Sequence, residues 1–497
     1  MWRFPYLLYD NGGGAFLIPY FSAILLVVLP LYTFETAYGQ VFRLKINQMF
    51  SSIHGRFWGF QYAQLFISAT GSSYYSILMA WSMAFFFNSF RNPLPWTNEE
   101  YEETGDSSTF FVDTYFKDDL LRSSEDLDKW GKPVPIIVIS IIVSWTLVYL
   151  ACFRGVKSSG KMVYVTAPLP YVLLLILFIR ALTLGGAAKG LEFLFVPDWS
   201  KLGETKVWRD AVNQVIWSTA LGYGPLLFYS SCRPIDSKLT RSGTAIPLIN
   251  AATSLFASCV LFSYLGHIAD KLDVTIEEIP INGMEMAFVA YPLLLTTLPW
   301  SNLWAVIFFG MLCTVGVDSV FGQVDYVIAM CVNAWPQILK YMRKEIFILL
   351  YCAGSCLCAL SFSFENGFKL FGLWDHYAVG VALLFLVFSE AIFFGWFMGI
   401  EPLAAKVKEC TGETLPKIVS FSPRFVLPLA MGLSLINAFY NDFTNPLDLS
   451  AGWLIYGWIL LLAPLVISLA GLLYDTGLTG KFDKGGAQED EKAESKA

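Results

Sequence analysis

Small polar side chains recur on apolar segments of the chain at spacings that place them on one face of a helix. The sets are Gln214 and Ser218, Asn250 and Ser254, and Val315, Asp318 and Ser319. An aspartate in the middle of an apolar span is costly unless a cation or a hydrogen-bond donor compensates its charge. Oxygen ligands from carboxylate, carbonyl, amide and hydroxyl groups suit a hard cation such as sodium, by analogy with other oxygen-ligated metals. Amide and hydroxyl donors together with a tyrosine hydroxyl suit an anion.

Hydrogen bonding between helices is the commoner use of any one such pair. Three sets in one chain, with a broken helix between them, favour ion sites instead. The broken helix lies in the apolar stretch 213–231, NQVIWSTALGYGPLLFYSS. Its centre, ALGYGP, holds two glycines and a proline, which weaken a helix, and the proline also removes a backbone donor. A span that unwinds in a membrane must line a protein cavity, where bare carbonyls can bind a cation. A kinked structural helix is the alternative reading of this stretch.

Other polar residues in apolar segments leave two interpretations open. Glu35 is expensive inside a span and marks either function or internal scaffolding. Arg3, beside the membrane, either reaches the surface or forms an ion pair. The small and aromatic residues at 72–75 suit close helix packing or a substrate pocket.

The composition explains which elements must position these residues. Of 497 residues, 56% are hydrophobic, 16% aromatic and 15% charged, and the mean hydropathy is +0.55. These values exclude a soluble domain and indicate a polytopic membrane protein in a lipid bilayer. After a short apolar fragment at 2–9, apolar segments of about 20 residues or more predict eleven spans. They are 13–42, 56–92, 134–153, 162–184, 208–235, 243–269, 300–331, 344–364, 376–400, 421–441 and 451–474.

Basic residues in alternate loops predict the orientation of the spans. The basic loops hold Arg43 and Lys45; Arg154, Lys157 and Lys161; Arg233, Lys238 and Arg241; Lys340, Arg343 and Lys344; and Lys406, Lys408 and Lys417. This set is predicted to be cytoplasmic, together with the C-terminal tail 475–497, whose charged composition predicts disorder. The net charge of -7 is spread over loops and tail and indicates no nucleic-acid partner.

Several motifs in order give the chain a family resemblance. They are WRFPYLLYDNGGGAFLIPY, LPWT, GVKSSGKMVYVTAPLPYV, PDWSKL, the broken span and TVGVDSVFG. Through them the chain resembles the neurotransmitter:sodium symporter family almost end to end. The resemblance implies an all-α fold of twelve helices in which two inverted five-helix repeats bind substrate at broken first and sixth helices. We therefore expect a transport core at 1–400, with repeats at 1–184 and 208–400, and two further helices at 421–474.

The resemblance also implies roles for individual residues. The implied sodium ligands are Ser218 and Asn250 for one site, and the Val315 carbonyl, Asp318 and Ser319 for the other. The implied chloride ligands are Tyr20, Gln214, Ser218 and Ser254. The substrate set comprises Tyr75 and Trp217 as the lid, Ala220, Tyr223 and Ser319 as pocket residues, and Gln323, which is unusual for the family. Arg3 and Asp375 match the outer gate pair, and Glu35 matches the carboxylate that holds the unwound backbone of the sixth helix.

The chain departs from the family pattern at its start, because the family's first helix begins before the tryptophan-arginine motif and this sequence starts at Met1. We expect a first helix that lacks its N-terminal half.

The resemblance implies a plasma-membrane symporter without enzymatic chemistry, coupling sodium and chloride to uptake of a small amino acid or related zwitterionic or amine solute. The alternative is a truncated, non-transporting member that acts as a sensor, a scaffold or a relic. A sodium-gated channel would use the same residues. The sequence does not name the substrate, the ion stoichiometry or the oligomeric state.

Overall fold

The computed structural model describes residues 3–97, 112–124, 126–153, 164, 166–276 and 286–475. The described residues form helices and turns, with two isolated β-bridges and no strand. The all-α expectation is therefore confirmed. The loop 155–162 and nearly all of the tail lie outside the described residues.

The first half of the chain contains eight helices that matter for the site. They are α1 (Arg3–Asp10), α2 (Gly14–Phe42), α3 (Trp58–Asn88), α4 (Pro135–Cys152), α5 (Leu169–Leu182), α6 (Ala187–Phe195), α7 (Thr205–Thr219) and α8 (Pro225–Ser231).

Eight more helices follow in the second half. They are α9 (Leu239–Leu272), α10 (Met286–Thr296), α11 (Ser301–Ala334), α12 (Lys344–Ser363), α13 (Gly367–Met398), α14 (Glu401–Thr411), α15 (Lys417–Thr444) and α16 (Ala451–Leu473). Short turns such as Met49–Ile53 and Ile338–Tyr341 connect some of them.

Among the described residues, eight helices are long and apolar enough to cross a membrane. A ninth candidate pairs α5 with α6, although the two are bent by 114°. Each of the eleven predicted spans falls on a helix or, at 208–235, on the pair α7 and α8. Because helices satisfy their own backbone hydrogen bonds, they are the expected spanning elements.

One predicted boundary is wrong, and the error has a physical reason. The span predicted at 376–400 begins at Gly367, since Asp375 and the residue after it sit inside the helix and find polar partners there. The start of the span predicted at 162–184 lies largely outside the described residues, and its continuous described helix is Leu169–Leu182. The shorter helices α6, α10 and α14 were not predicted as elements.

Helix α3 is the central element of the packing. It is buried over most of its length and packs against α4, α11 and α16. Helix α2 packs against α8 and α9. These contacts bring the unwound segment between α7 and α8, the polar face of α11 and the buried carboxyl of Glu35 into one region. The division into two repeats and an added pair of helices stays a prediction.

Candidate functional site

The predicted break in the apolar stretch 213–231 is confirmed. Helix α7 ends at Thr219, and α8 begins at Pro225. Between them Ala220, Gly222 and Gly224 have φ angles of 57°, 83° and 105°. Glycine adopts such angles at little cost, whereas Ala220 is a strained exception. The backbone from 220 to 224 thus lies outside any helix, in the interior of the protein.

Side chains from two neighbouring helices bind this unwound segment. The Gly222 amide donates to Glu35 Oε1 at 3.1 Å. On α3, Gln64 Nε2 donates to the Gly222 carbonyl at 2.9 Å, and Ser68 Oγ donates to the Tyr223 carbonyl at 2.6 Å. The expectation of bare carbonyls in the unwound span is therefore wrong for these two carbonyls. A buried carbonyl without a partner is costly, and α3 supplies the donors.

A cavity of about 780 Å³ lies beside the unwound segment. Its wall includes every residue of the predicted substrate set, namely Tyr75, Trp217, Ala220, Tyr223, Ser319 and Gln323. The Trp217 and Tyr223 rings stack with centroids 6.4 Å apart, and the Arg3 guanidinium lies 5.9 Å from the Trp217 ring. This size and mixture of aromatic and polar groups suit a small organic solute.

The residues predicted as sodium ligands line the same cavity: Ser218, Asn250, Val315, Asp318 and Ser319. Asn250 Nδ2 donates to Ser218 Oγ at 3.0 Å, and Ser319 Oγ donates to the Val315 carbonyl at 3.1 Å. The Oδ1 atom of Asp318 is buried and accepts no hydrogen bond from the part of the chain that the structure describes. A buried carboxylate oxygen without a donor fits a cation ligand, so the donor set fits sodium.

The residues predicted as chloride ligands are buried close by. Gln214 and Ser218 line the cavity, while Tyr20 on α2 and Ser254 on α9 lie behind its wall. The Tyr20 hydroxyl faces Ser254 but has no hydrogen-bond partner within bonding distance. Gln214 Oε1 is also buried without a partner, and a half turn of the amide would present Nε2 as a donor instead. Hydroxyl and amide donors in a buried place fit an anion.

The predicted gate pair lies beside a second cavity, which is called the outer cavity here after the predicted outer gate. Arg3 Nη1 lies 3.9 Å from Asp375 Oδ1, and both side chains are mostly buried. The hydroxyl of Tyr74, one of the residues at 72–75 expected in helix packing or a pocket, donates to the same carboxylate oxygen. Arg3 lines both cavities, so its side chain stands at the boundary between them.

The outer cavity has a volume of about 740 Å³ and a strongly charged wall. At its rim the Asp128 amide donates to Asp126 at 3.0 Å, and this bond together with Lys129 lowers the pKa of the Asp126 carboxyl. Deeper in the wall, His376 Nε2 lies 2.8 Å from Asp442 Oδ1. A cavity with a charged wall of this kind can hold a charged or zwitterionic solute.

The structure adds residues that the sequence patterns did not single out. Gln64 and Ser68 are four residues apart on α3 and could have been found by the same one-face spacing that singled out Gln214 and Ser218. Thr166 lies within hydrogen-bonding reach of Asp318. Glu390 is a second fully buried carboxyl next to Glu35.

Comparison with known proteins gives matches along nearly the whole chain. Residues 1–473 match the model of the sodium:neurotransmitter symporter family. The chain is similar to the sodium-dependent serotonin transporter of Drosophila melanogaster, with 35% identity over 83% of this chain and 68% of that protein. It is 33% identical to the creatine transporter of Torpedo marmorata, over 95% of this chain and 81% of the relative. It is 32% identical to the sodium- and chloride-dependent GABA transporter 2 of Rattus norvegicus, over 95% of this chain and 83% of that protein.

Proposed function

The chain belongs to the sodium:neurotransmitter symporter family, and we propose that it is a sodium- and chloride-coupled symporter for a small amino acid or a related zwitterionic or amine solute. The similar proteins are named for the transport of serotonin, creatine and GABA. These solutes share a compact polar form with a cationic nitrogen group, and a cavity of about 780 Å³ accommodates molecules of that size.

The observation that carries the proposal is the free Asp318 oxygen in the cavity beside the unwound segment. Asp318 Oδ1 is buried without a donor, and the carboxylate sits on a membrane-crossing helix. The Thr166 hydroxyl is one partner of this carboxylate, and a single neutral donor leaves most of the charge uncompensated at that depth. The site therefore favours a bound cation. Ser319 and the Val315 carbonyl supply neighbouring oxygens, and Ser218 with Asn250 supply a second group.

The chloride ligands of the proposal are Tyr20, Gln214, Ser218 and Ser254. Ser218 belongs to both the sodium and the chloride groups, which would place the two ions close together. An anion beside a cation lowers the electrostatic cost of each in a medium of low dielectric constant. This arrangement supports a joint requirement for sodium and chloride.

Transport would proceed by alternating access around the unwound segment. Arg3, Asp375 and Tyr74 form the outer boundary of the cavity, and the stacked Trp217 ring lies beneath Arg3. Breaking this boundary would connect the cavity to the outer one. Ions and substrate drive the cycle only if they bind the outward-facing and inward-facing conformations with different affinities.

Uptake into proteoliposomes tests the proposal. Radiolabelled GABA, creatine and serotonin serve as the first probes, followed by a panel of amino acids, under an inward gradient of sodium chloride. We expect uptake of at least one probe, its loss when choline replaces sodium or gluconate replaces chloride, and its loss in Asp318→Ala. The control Asp236→Ala changes an exposed aspartate and should transport normally.

Two results would contradict the proposal. Equal uptake in sodium and choline would show that sodium does not drive transport. Binding of sodium without uptake of any probe in the panel would favour the alternative of a non-transporting member.

The proposed location is the plasma membrane, with the C-terminus in the cytoplasm. The support is the clustering of basic residues in alternate loops, among them Arg43 and Lys45 after α2 and Lys406 and Lys408 in α14. A C-terminal epitope that antibodies reach only after the cells are permeabilised would agree with this topology.

A further inference from the structure

A second polar cluster lies behind the unwound segment, away from the ions and substrate of the proposed function. It contains Glu35 on α2, Glu390 on α13 and Tyr326 on α11, which are 0%, 0% and 1% exposed. Among the described residues, no hydrogen-bond partner reaches either carboxylate oxygen of Glu390, Glu35 Oε2 or the Tyr326 hydroxyl. Four free polar atoms in one buried place are unusual and call for a ligand.

The electrostatic surroundings of the two carboxyls contain no described basic group. Glu35 and Glu390 interact with each other, and the phenols of Tyr32, Tyr223 and Tyr326 are the other titratable groups near the pair. Two negative charges would repel each other at this depth, and burial already opposes one. At least one of the carboxyls must therefore be neutralised.

The backbone distinguishes the two carboxyls. The Gly222 amide donates to Glu35 at 3.1 Å, which stabilises a charged Glu35, whereas Glu390 receives no donor. We propose that Glu35 and Glu390 form a proton-binding site in which Glu390 holds the proton and Glu35 keeps the charge. A bound proton removes the repulsion and needs no further protein ligand.

The site is tied to the unwound segment through Gly222. The ring of Tyr326 packs directly against Gly224, at the other end of the same segment. If the segment shifts so that Gly222 no longer donates to Glu35, the charged form of Glu35 loses the one hydrogen bond that the described residues give it, and the pair binds a second proton. The balance between the two conformations then depends on pH, because they bind different numbers of protons.

Infrared difference spectroscopy on the purified full-length protein tests the proton directly. A protonated carboxyl has a C=O stretching band that is separate from the carboxylate bands. We expect this band at neutral pH in the wild type, and we expect it to be lost in Glu390→Gln. The matched control Glu401→Gln changes an exposed glutamate on α14 and should keep the band.

A second variant keeps the proposal testable if Glu390→Gln fails to fold. Glu35→Gln removes the charged neighbour and should retain the Glu390 band. Absence of the band from the wild type, or its persistence in folded Glu390→Gln, would overturn the proposal. Loss of the wild-type band when sodium replaces choline at constant pH would show that the pair takes a metal cation instead. The test needs no transport activity, so its failure and that of the symporter proposal are distinguishable.

Discussion

Substitution of Gly224 by alanine would test how strictly the unwound segment depends on glycine. Gly224 has a φ of 105°, which side chains with a Cβ rarely adopt. Such a backbone conformation costs about 1–3 kcal/mol for a residue other than glycine. The added Cβ would also overlap the Tyr326 ring, and overpacking of this kind costs about 1–3 kcal/mol. We expect Gly224→Ala to lower the free energy of unfolding by about 2–6 kcal/mol.

Equilibrium unfolding by sodium dodecyl sulfate in mixed micelles measures this loss. Gly354→Ala is the matched control, since Gly354 lies in α12 with open space around the position of a Cβ. In the Tyr326→Ala background the ring is absent, so Gly224→Ala should there cost only the backbone part, measured as the difference between the double variant and Tyr326→Ala alone. If Gly224→Ala unfolds like Gly354→Ala, the segment is not held in the conformation described and the reasoning is refuted.

Two further predictions compare a buried hydrogen bond with an exposed ion pair. Ser68→Ala leaves the buried Tyr223 carbonyl without its donor and should lower the free energy of unfolding by about 1–3 kcal/mol. The loss should exceed that of Ser76→Ala, whose hydroxyl bonds only within α3. Equal losses would show that the Tyr223 carbonyl does not need this donor. Lys189→Ala should lower the free energy of unfolding by less than about 1 kcal/mol in the same assay, because the 2.6 Å ion pair of Lys189 with Asp270 is largely exposed. A loss as large as that of Gly224→Ala would contradict this prediction.

Much of the fold could be predicted because a membrane imposes simple rules. Long apolar runs mark the spans, and the glycines and proline at 222–225 mark the break between α7 and α8. The one-face spacing of Asp318 with Val315 and Ser319 placed them on a common cavity wall. These signals are local, so one sequence is enough to read them.

The rest depends on contacts between distant parts of the chain. Nothing near Gln64 or Ser68 in the sequence indicates that these side chains bind carbonyls of residues about 155 positions away. Helix α13 begins at Gly367, before the span predicted at 376–400, because Arg3 and Tyr74 compensate the charge of Asp375 inside the helix. Glu390 escaped notice since its significance comes from its proximity to Glu35.

Equilibrium binding of radioactive sodium to the purified protein tests the central claim most directly, namely that Asp318 beside the unwound segment binds sodium. We predict saturable binding to the wild type and to Asp236→Ala, and a clear loss of bound sodium in Asp318→Ala at the same sodium concentration. Identical binding curves for the wild type and folded Asp318→Ala would contradict the account, as would a wild-type protein that binds no sodium.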